Sequence, residues 1–262
     1  MTKIDFCGKM NKVKKVNVMQ KYFVNPNNFY NNYQEVVIDK EDSLHIIKVM
    51  RMRIGDEVLV SDNQNSYLAK IKVLDEKGVI LEIVEKMDTD PELKIRVSIA
   101  QGIVKKDKME EVLSKITALG TYSYIPVNME RCNIKVKEEK RERQNRIIKE
   151  ASEQSMRNKL MEYSNIISFK ELLKLKEKYD VCLFASTKAT LDNPNFKQVL
   201  KNKDTKSVLI VVGPEGGISP KEEDLMEQAG FLPITLGPRI LRTELAPVYI
   251  MSAISYETEL GE

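Results

Sequence analysis

The stretches 208-VLIVVGPEGG-217 and 233-PITLGPRILRTE-244 decide the fold. In the first, five apolar residues, four of them β-branched, run without a polar break and end at a glycine-proline turn. A strand covered on both faces has this signature, and such strands belong to parallel sheets. VCLFAS (181–186) repeats it, IRVSIA (95–100) and YIPV (124–127) read as further strands, and PITLG (233–237) is another. Helical periodicity lies between them. Met109, Val112, Leu113, Ile116 and Leu119 share one face of a helix that starts near Lys108 and stops at Gly120, with Asp107 and Glu110 as a capping box. Arg141 to Asn158 reads as a long polar helix with a thin apolar stripe. Ser168 with Glu171, and Ser219-Pro220 with Glu222, open two more, and Ala246 to Glu257 form the last. Strands alternating with helices from residue 92 onward predict an α/β domain with a mainly parallel sheet.

Upstream the pattern changes at Asp88-Thr-Asp-Pro91, a plausible linker. Met19–Val24, EVLVSD (57–62), SYLAKIKVL (66–74) and GVILEIVE (78–85) are short β-rich runs, with a short helix over Glu41–Arg51. They predict a small barrel or sandwich over 19–88. Residues 1–18 have no periodicity and read as a flexible extension, and 25–32 (NPNNFYNN) as an Asn-rich loop.

Composition narrows the function classes. The 262 residues suit one large or two moderate domains, and 42% hydrophobic with 31% charged residues excludes a disordered chain. No run reaches transmembrane length and no signal-peptide core follows the start, so a cytoplasmic protein without a membrane partner is expected. Three scattered cysteines and one histidine, His45, exclude a disulfide framework and a multi-histidine metal site, so no metal is expected. The net charge of +3 is uneven. Residues 19–88 hold nine basic and twelve acidic groups, whereas Arg131 to Lys159 hold ten and five. That basic stripe can neutralise phosphates, or it can be a solvated helix laced with pairs such as Glu139–Arg143. A segment of net −3 does not bind nucleic acid on charge alone, so any basic surface has to span both domains or both subunits.

Both decisive stretches end in loops at the carboxyl edge of their strands, where ligands sit in open α/β sheets. Neither matches a dinucleotide or P-loop fingerprint. Glycines there fit tight turns as well as a ligand cradle.

Taken together, the motifs resemble the RsmE-type bacterial 16S ribosomal RNA (uracil-N3)-methyltransferases of the SPOUT superfamily. The resemblance covers about 19–260. It rests on His45-xxx-Val49-Met50-Arg51 with Gly55-Asp56, Gln101-Gly102 with Lys105-Lys106-Asp107, and Lys115-Ile-Thr-Ala-Leu-Gly120. Glu130-Arg131-Cys132, Glu150-Ala-Ser-Glu-Gln154-Ser155-Met-Arg157, GPEGGIS and LGPRILRTE complete it. Ala118 and Leu245 stand where the family reads Glu and Thr.

The resemblance implies a PUA-like β-barrel (19–88) before a methyltransferase domain (89–262) with a C-terminal trefoil knot. It also implies S-adenosyl-L-methionine as cofactor, a homodimer, and one 16S rRNA uridine in the 30S subunit as target. The cofactor would be held by Ala185 and Ser186, by Val212, Gly213, Pro214, Gly216 and Gly217, and by Leu236, Gly237, Ile240, Leu241 and Arg242. Leu236, Ile240 and Leu241 would wall the adenine. Arg242 would stabilise charge developing on the uracil oxygens, with Glu215 or Glu153 as base. Arg51, Arg53, Lys105, Lys106, Arg131, Gln154 and Arg157 are the expected RNA contacts. Another RNA position, a ribose 2′-OH or a tRNA base, and a non-catalytic RNA-binding assembly factor are the alternatives.

Overall fold

The computed structural model describes residues 19–134, 141–190, 193, 196–200 and 204–260. The expected extension 1–18 and the expected Glu139 ion pair lie outside them. The chain forms two compact units. One comprises the described residues up to Asp62 with Ser66–Met87, the other Asn63–Asn65 with those from Asp88 onward.

The smaller unit is a six-stranded sheet. Its elements are β1 (Lys21–Phe23), β2 (Phe29–Tyr30), β3 (Glu35–Val37), α1 (Lys40–Leu44), β4 (Glu57–Ser61), β5 (Ser66–Val73) and β6 (Ile80–Lys86), in the order β1-β4-β5-β6-β3-β2. The β1–β4 pair is parallel and the others antiparallel. The sequence pattern missed β2 and β3, which are too short for alternation to show. Alternate residues of β4 and β5 (Val58, Val60, Ala69, Ile71) turn inward onto Val36, Ile38, Ile46 and Leu81. Asp39 caps α1 by accepting from the Asp42 N–H at 2.9 Å. Ser43 ties that helix to the sheet, donating to the Ile38 carbonyl and accepting from the Val79 N–H. His45 packs beside β1, with Nδ1 3.1 Å from the Tyr22 hydroxyl.

The larger unit is a three-layer α/β/α structure. Its strands are β7 (Arg96–Gly102), β8 (Ser123–Asn128), β9 (Glu162–Tyr163), β10 (Ile167–Ser168), β11 (Val181–Ala185), β12 (Ser207–Val212) and β13 (Leu232–Ile234). The helices are α2 (Lys106–Ala118), α3 (Glu142–Gln154), α4 (Phe169–Lys174), α5 (Phe196–Leu200), α6 (Pro220–Gln228) and α7 (Ala246–Ser255). The order is β10-β8-β7-β12-β11-β13, β9 also lies along β8, and every pairing is parallel. All six residues of β12 are buried. Val208, Ile210 and Val212 face a core with Val112, Leu113 and Ile116 of α2 and Ile250, Met251 and Ile254 of α7. Leu209 and Val211 face the opposite core, with Leu172 of α4 and Met226 of α6. The uninterrupted apolar run is thus two alternating sets, each buried side chain worth about 1.5–3 kcal/mol.

Ser168 and Ser219 form the expected capping boxes with Glu171 and Glu222. The Asp107–Glu110 box does not form. Lys105 is the N-cap of α2 with no side-chain cap, and Glu110 instead receives Arg143 from α3. α3 is shorter than its polar run. It ends at Gln154, and the chain turns through Met156 at φ 58°. That turn sends Arg157 into the protein, where it is 3% exposed. Its guanidinium meets the Glu92 carboxylate at 2.6 Å and donates to the Thr117 and Thr121 carbonyls at 3.0 and 2.9 Å. The same carboxylate accepts the Asn158 and Lys159 N–H groups. Arg157, expected on RNA, is therefore a structural ion pair, because its donors are already used inside the unit.

Removing one partner of a buried pair strands the other. Arg157→Ala should lower the unfolding free energy by about 3–5 kcal/mol, measured by urea denaturation. A loss below about 0.5 kcal/mol would show that the pair contributes nothing.

Candidate active site

Both glycine loops lie at the carboxyl edge of the parallel sheet, tied by one buried side chain. Gln101, at the end of β7, has no exposed surface. Its Oε1 accepts from the Tyr124 hydroxyl at 2.9 Å, which fixes the amide orientation. Its Nε2 then donates to the Thr243 carbonyl at 2.8 Å and lies 2.9 Å from Thr243 Oγ1. Thr243 in turn donates to the Gly213 carbonyl at 2.6 Å. One chain of hydrogen bonds runs from β7 through the second loop into the first.

Close approach fastens the first loop further. A β-carbon at Gly102 would lie 2.7 Å from Pro214 N, so only glycine lets this proline seat on the end of β7. Glu130 and Arg131, which follow β8, hold the loop from its other side. Ser219 donates to Glu130 Oε2 at 2.8 Å, and Arg131 Nη1 reaches the Gly216 and Ile218 carbonyls at 3.3 and 3.4 Å. Arg131, expected on RNA, braces this loop. At Gly217 the backbone is left-handed (φ 72°), and nothing lies within 4 Å of where a β-carbon would stand. The loop therefore keeps open space beside an exposed backbone.

Glu215 and Glu244 converge on Lys108 of α2, whose Nζ is 3.7 Å from Glu215 Oε1 and 3.1 Å from Glu244 Oε2. The Lys105 N–H, at the start of α2, points to Glu215 Oε1 at 3.3 Å. Glu215 Oε2 is buried with no hydrogen-bond partner, so an acceptor stands ready inside the cluster. Glu244 is held below the usual carboxylate range by its own backbone N–H, then by Lys108 and the nearby charge of Arg242, against the opposing effect of burial. The sequence quoted Lys108 and Glu244 without a role. Their meeting depends on a tertiary contact that spacing does not show.

The remaining expected residues divide. Arg242 is exposed at the second loop, beside Glu244. Leu236 and Leu241 pack half-buried against the core, whereas Ile240 projects outward, 88% exposed. Gly237 is left-handed at φ 97°. Ala185 and Ser186 close β11, and the buried Ser186 hydroxyl donates to Glu223 Oε1 at 2.9 Å, tying the third loop to α6. Val212 is buried as the last residue of β12. Glu153 lies on α3, 3.9 Å from Lys149 one turn earlier. Glu215, unlike Glu153, belongs to the cluster on Lys108. Lys105, Lys106 and Gln154 are exposed, as are Arg51 and Arg53 in the smaller unit. Among the described residues no cluster of His, Cys, Asp or Glu could hold a metal, and no helix could cross a membrane.

A parallel sheet whose last loops form a backbone-lined edge, with an arginine and paired carboxylates beside it, is laid out to hold a ligand outside its strand ends. The RNA methyltransferase domain family matches residues 91–255, and the RNA methyltransferase PUA domain family matches 38–84. The chain belongs to the ribosomal RNA small subunit methyltransferase E family. It is 39% identical over 233 residues to the Bacillus subtilis protein of that name, covering 85% of this chain and 90% of that one. The Aquifex aeolicus protein is 30% identical over 226 residues, covering 84% and 93%. Among solved structures, the Neisseria gonorrhoeae enzyme bound to S-adenosyl methionine superposes with a TM-score of 0.80 at 30% identity, covering 92% of this chain and 97% of that one. The family makes this chain an rRNA methyltransferase with a PUA-like unit ahead of its α/β unit.

The close fit at Gly102 is testable. Gly102→Ala should displace Pro214 and cost about 1–3 kcal/mol through overpacking, read from the urea midpoint. An unchanged midpoint would mean that the loop is not seated on β7.

Proposed function

We propose that the protein transfers the methyl group of S-adenosyl-L-methionine to N3 of one uridine in 16S rRNA of the 30S subunit, acting as a cytoplasmic homodimer. The observation that carries this reading is the Gln101–Thr243–Gly213 chain, which brings two glycine loops into one edge with open space at Gly217. The residues fit the cofactor. Backbone of Gly213–Gly217 and Leu236–Arg242 would hold it, with Leu236 and Leu241 as apolar wall and Ala185 and Ser186 at the third loop. The trefoil knot belongs to this reading.

The cofactor, when bound, supplies a methyl group that carries its own leaving group, so the protein's task is orientation and charge. Uracil N3 carries a proton, and losing it spreads negative charge over the two flanking carbonyl oxygens. Arg242, exposed at the loop surface beside Glu244, would face that charge. Glu215 takes the proton on its buried, unpartnered Oε2, while Lys108 and the Lys105 N–H hold its other oxygen in place. Lys105, Lys106, Gln154, Arg51 and Arg53 remain the RNA contacts of this proposal.

The dimer rests on α7. Leu245, Tyr249, Tyr256 and Leu260 are 49%, 41%, 62% and 74% exposed. Their spacing places them along one side of α7 and the turn that follows it. An apolar stripe of this length on a water-facing helix marks an association surface. Tyr249→Glu with Tyr256→Glu should raise the dimer dissociation constant at least about a hundredfold, seen as a monomer in sedimentation velocity. A dimer that persists at wild-type concentrations would remove α7 from the interface.

The function is tested by incubating the protein, labelled S-adenosyl-L-methionine and 30S subunits lacking the modification, then identifying the methylated nucleoside by mass spectrometry. The expected product is 3-methyluridine at one 16S position, with Arg242→Ala slower by about 100-fold or more. A 2′-O-methyl nucleoside or another base would keep the family and overturn the position. No transfer at all would favour the non-catalytic RNA-binding alternative.

A further inference from the structure

The Asn-rich segment of the smaller unit, Asn25–Tyr33, is used by none of the chemistry above. Its last three residues are consecutive and left-handed: Asn31 at φ 51°, Asn32 at φ 54° and Tyr33 at φ 63°. Asparagine tolerates this region, but a bulky aromatic residue there is an outlier. Such strain persists only where the surroundings impose it, and it gathers at functional positions.

The surroundings are clear. The Tyr33 ring stacks on Phe29 with centroids 4.7 Å apart and planes 25° from parallel. Tyr67 lies against both, at 5.6 Å from Phe29 and 5.8 Å from Tyr33. Phe29 is anchored on the core, and the Tyr67 hydroxyl donates to Asp62 at 3.0 Å. The turn is closed by the Gln34 N–H on the Asn31 carbonyl, and Asn31 Nδ2 donates to Glu35. Everything holds the ring in one place, yet Tyr33 is 43% exposed. The strained turn spends its stability on presenting an aromatic face to solvent.

Charge says what that face suits. Residues 19–88 carry a net −3, and Lys72, the cation beside the turn, is paired with Glu35. This surface does not attract phosphates strongly. A nucleobase needs no charge to stack on a tyrosine, and stacking tolerates any base. Five asparagines lie within Asn25–Asn32, a residue type whose amide both donates and accepts, as base edges require. A protein partner would want apolar surface continuing from the ring to form an interface core, and the neighbouring asparagines do not extend one.

We propose that Tyr33 is a stacking platform for an unpaired base of the RNA substrate, pre-organised by the left-handed turn. The proposal rests on the RNA methyltransferase reading and adds where the smaller unit grips the RNA. Its test uses the full chain. Tyr33→Asn removes the ring while keeping a residue at home in the left-handed region, and Tyr33→Trp keeps a π-face. Each is assayed for methyl transfer to 30S subunits lacking the modification, and for quenching of a single-stranded RNA oligonucleotide carrying 2-aminopurine. Tyr33→Asn should raise KM roughly five- to hundredfold with kcat unchanged and should lose the quench. Tyr33→Trp should keep both. An unchanged KM in Tyr33→Asn overturns the platform. A raised KM with the quench intact means that the ring meets a ribosomal protein, which overturns it equally. If Tyr33→Asn melts early, Tyr33→Leu restores apolar packing on Phe29 without a π-face and carries the same expectation. If the wild type transfers no methyl group, the reading of the α/β site fails, and the quench alone decides the platform.

Discussion

The orientation of one buried amide governs the catalytic edge. Gln101 can bridge two loops because the Tyr124 hydroxyl occupies its oxygen and leaves its nitrogen facing Thr243. A reversed amide would set its oxygen against the Thr243 carbonyl, acceptor against acceptor, at a fully buried position. The loops are therefore positioned by a hydrogen-bond polarity set two strands away. Gly102, the next residue, adds the steric half by admitting Pro214. Glu and Leu at 101 would both remove the second donor, for different reasons. The site's geometry is a property of the sheet's interior more than of its loops.

The same economy governs the basic residues. Arg131 to Lys159 read as a stripe able to bind phosphate, and on a linear count the reading is sound. In the fold several of those charges are directed inward or sideways. Arg157 is sealed against Glu92, Arg143 crosses to Glu110 on α2, Arg146 pairs with Glu150 one turn on, and Arg131 holds backbone carbonyls of the glycine loop. A paired arginine contributes little to the field that attracts RNA. Affinity then has to come from fewer free cations plus contacts that do not depend on charge.

What the sequence disclosed follows a physical division. Period-2 and period-3.6 patterns report burial, and burial is what β12, β11, α2 and α7 were identified by. Capping at Ser168 and Ser219 was legible because both partners lie three residues apart. The Asp107–Glu110 box failed on the same spacing because α2 begins at Lys106, which puts Asp107 inside the first turn, and Glu110 takes Arg143 from another helix. Arg157 was misread for a related reason: Glu92 is 65 residues away, and no local pattern announces it. Lys108 joining Glu215 to Glu244, and the short strands β2, β3, β9 and β10, belong to the same class of contacts. The family motifs located the loops correctly, since those are contiguous in sequence, but could not say which of their side chains face the ligand and which hold the frame.

The two units solve opposite problems. The larger one needs an immobile edge, because a misplacement of about 1 Å at a reacting centre costs on the order of a hundredfold in rate. Its innermost ties are buried and neutral, running through Gln101, Thr243 and the Gly213 carbonyl, while Glu130, Arg131 and Glu223 brace the loops from outside. Lys108 lies at this edge matched to two carboxylates, Glu215 and Glu244. The smaller unit carries a net −3 over residues 19–88, so the RNA grip proposed for it needs, beside Arg51 and Arg53, a contact that does not depend on phosphates. Aromatic surface held rigid by a strained turn meets that requirement, because the ordering cost is met when the protein folds and not again at each encounter. A stacking contact adds no charge of its own, so it leaves the field around Arg242, Glu215 and Lys108 undisturbed.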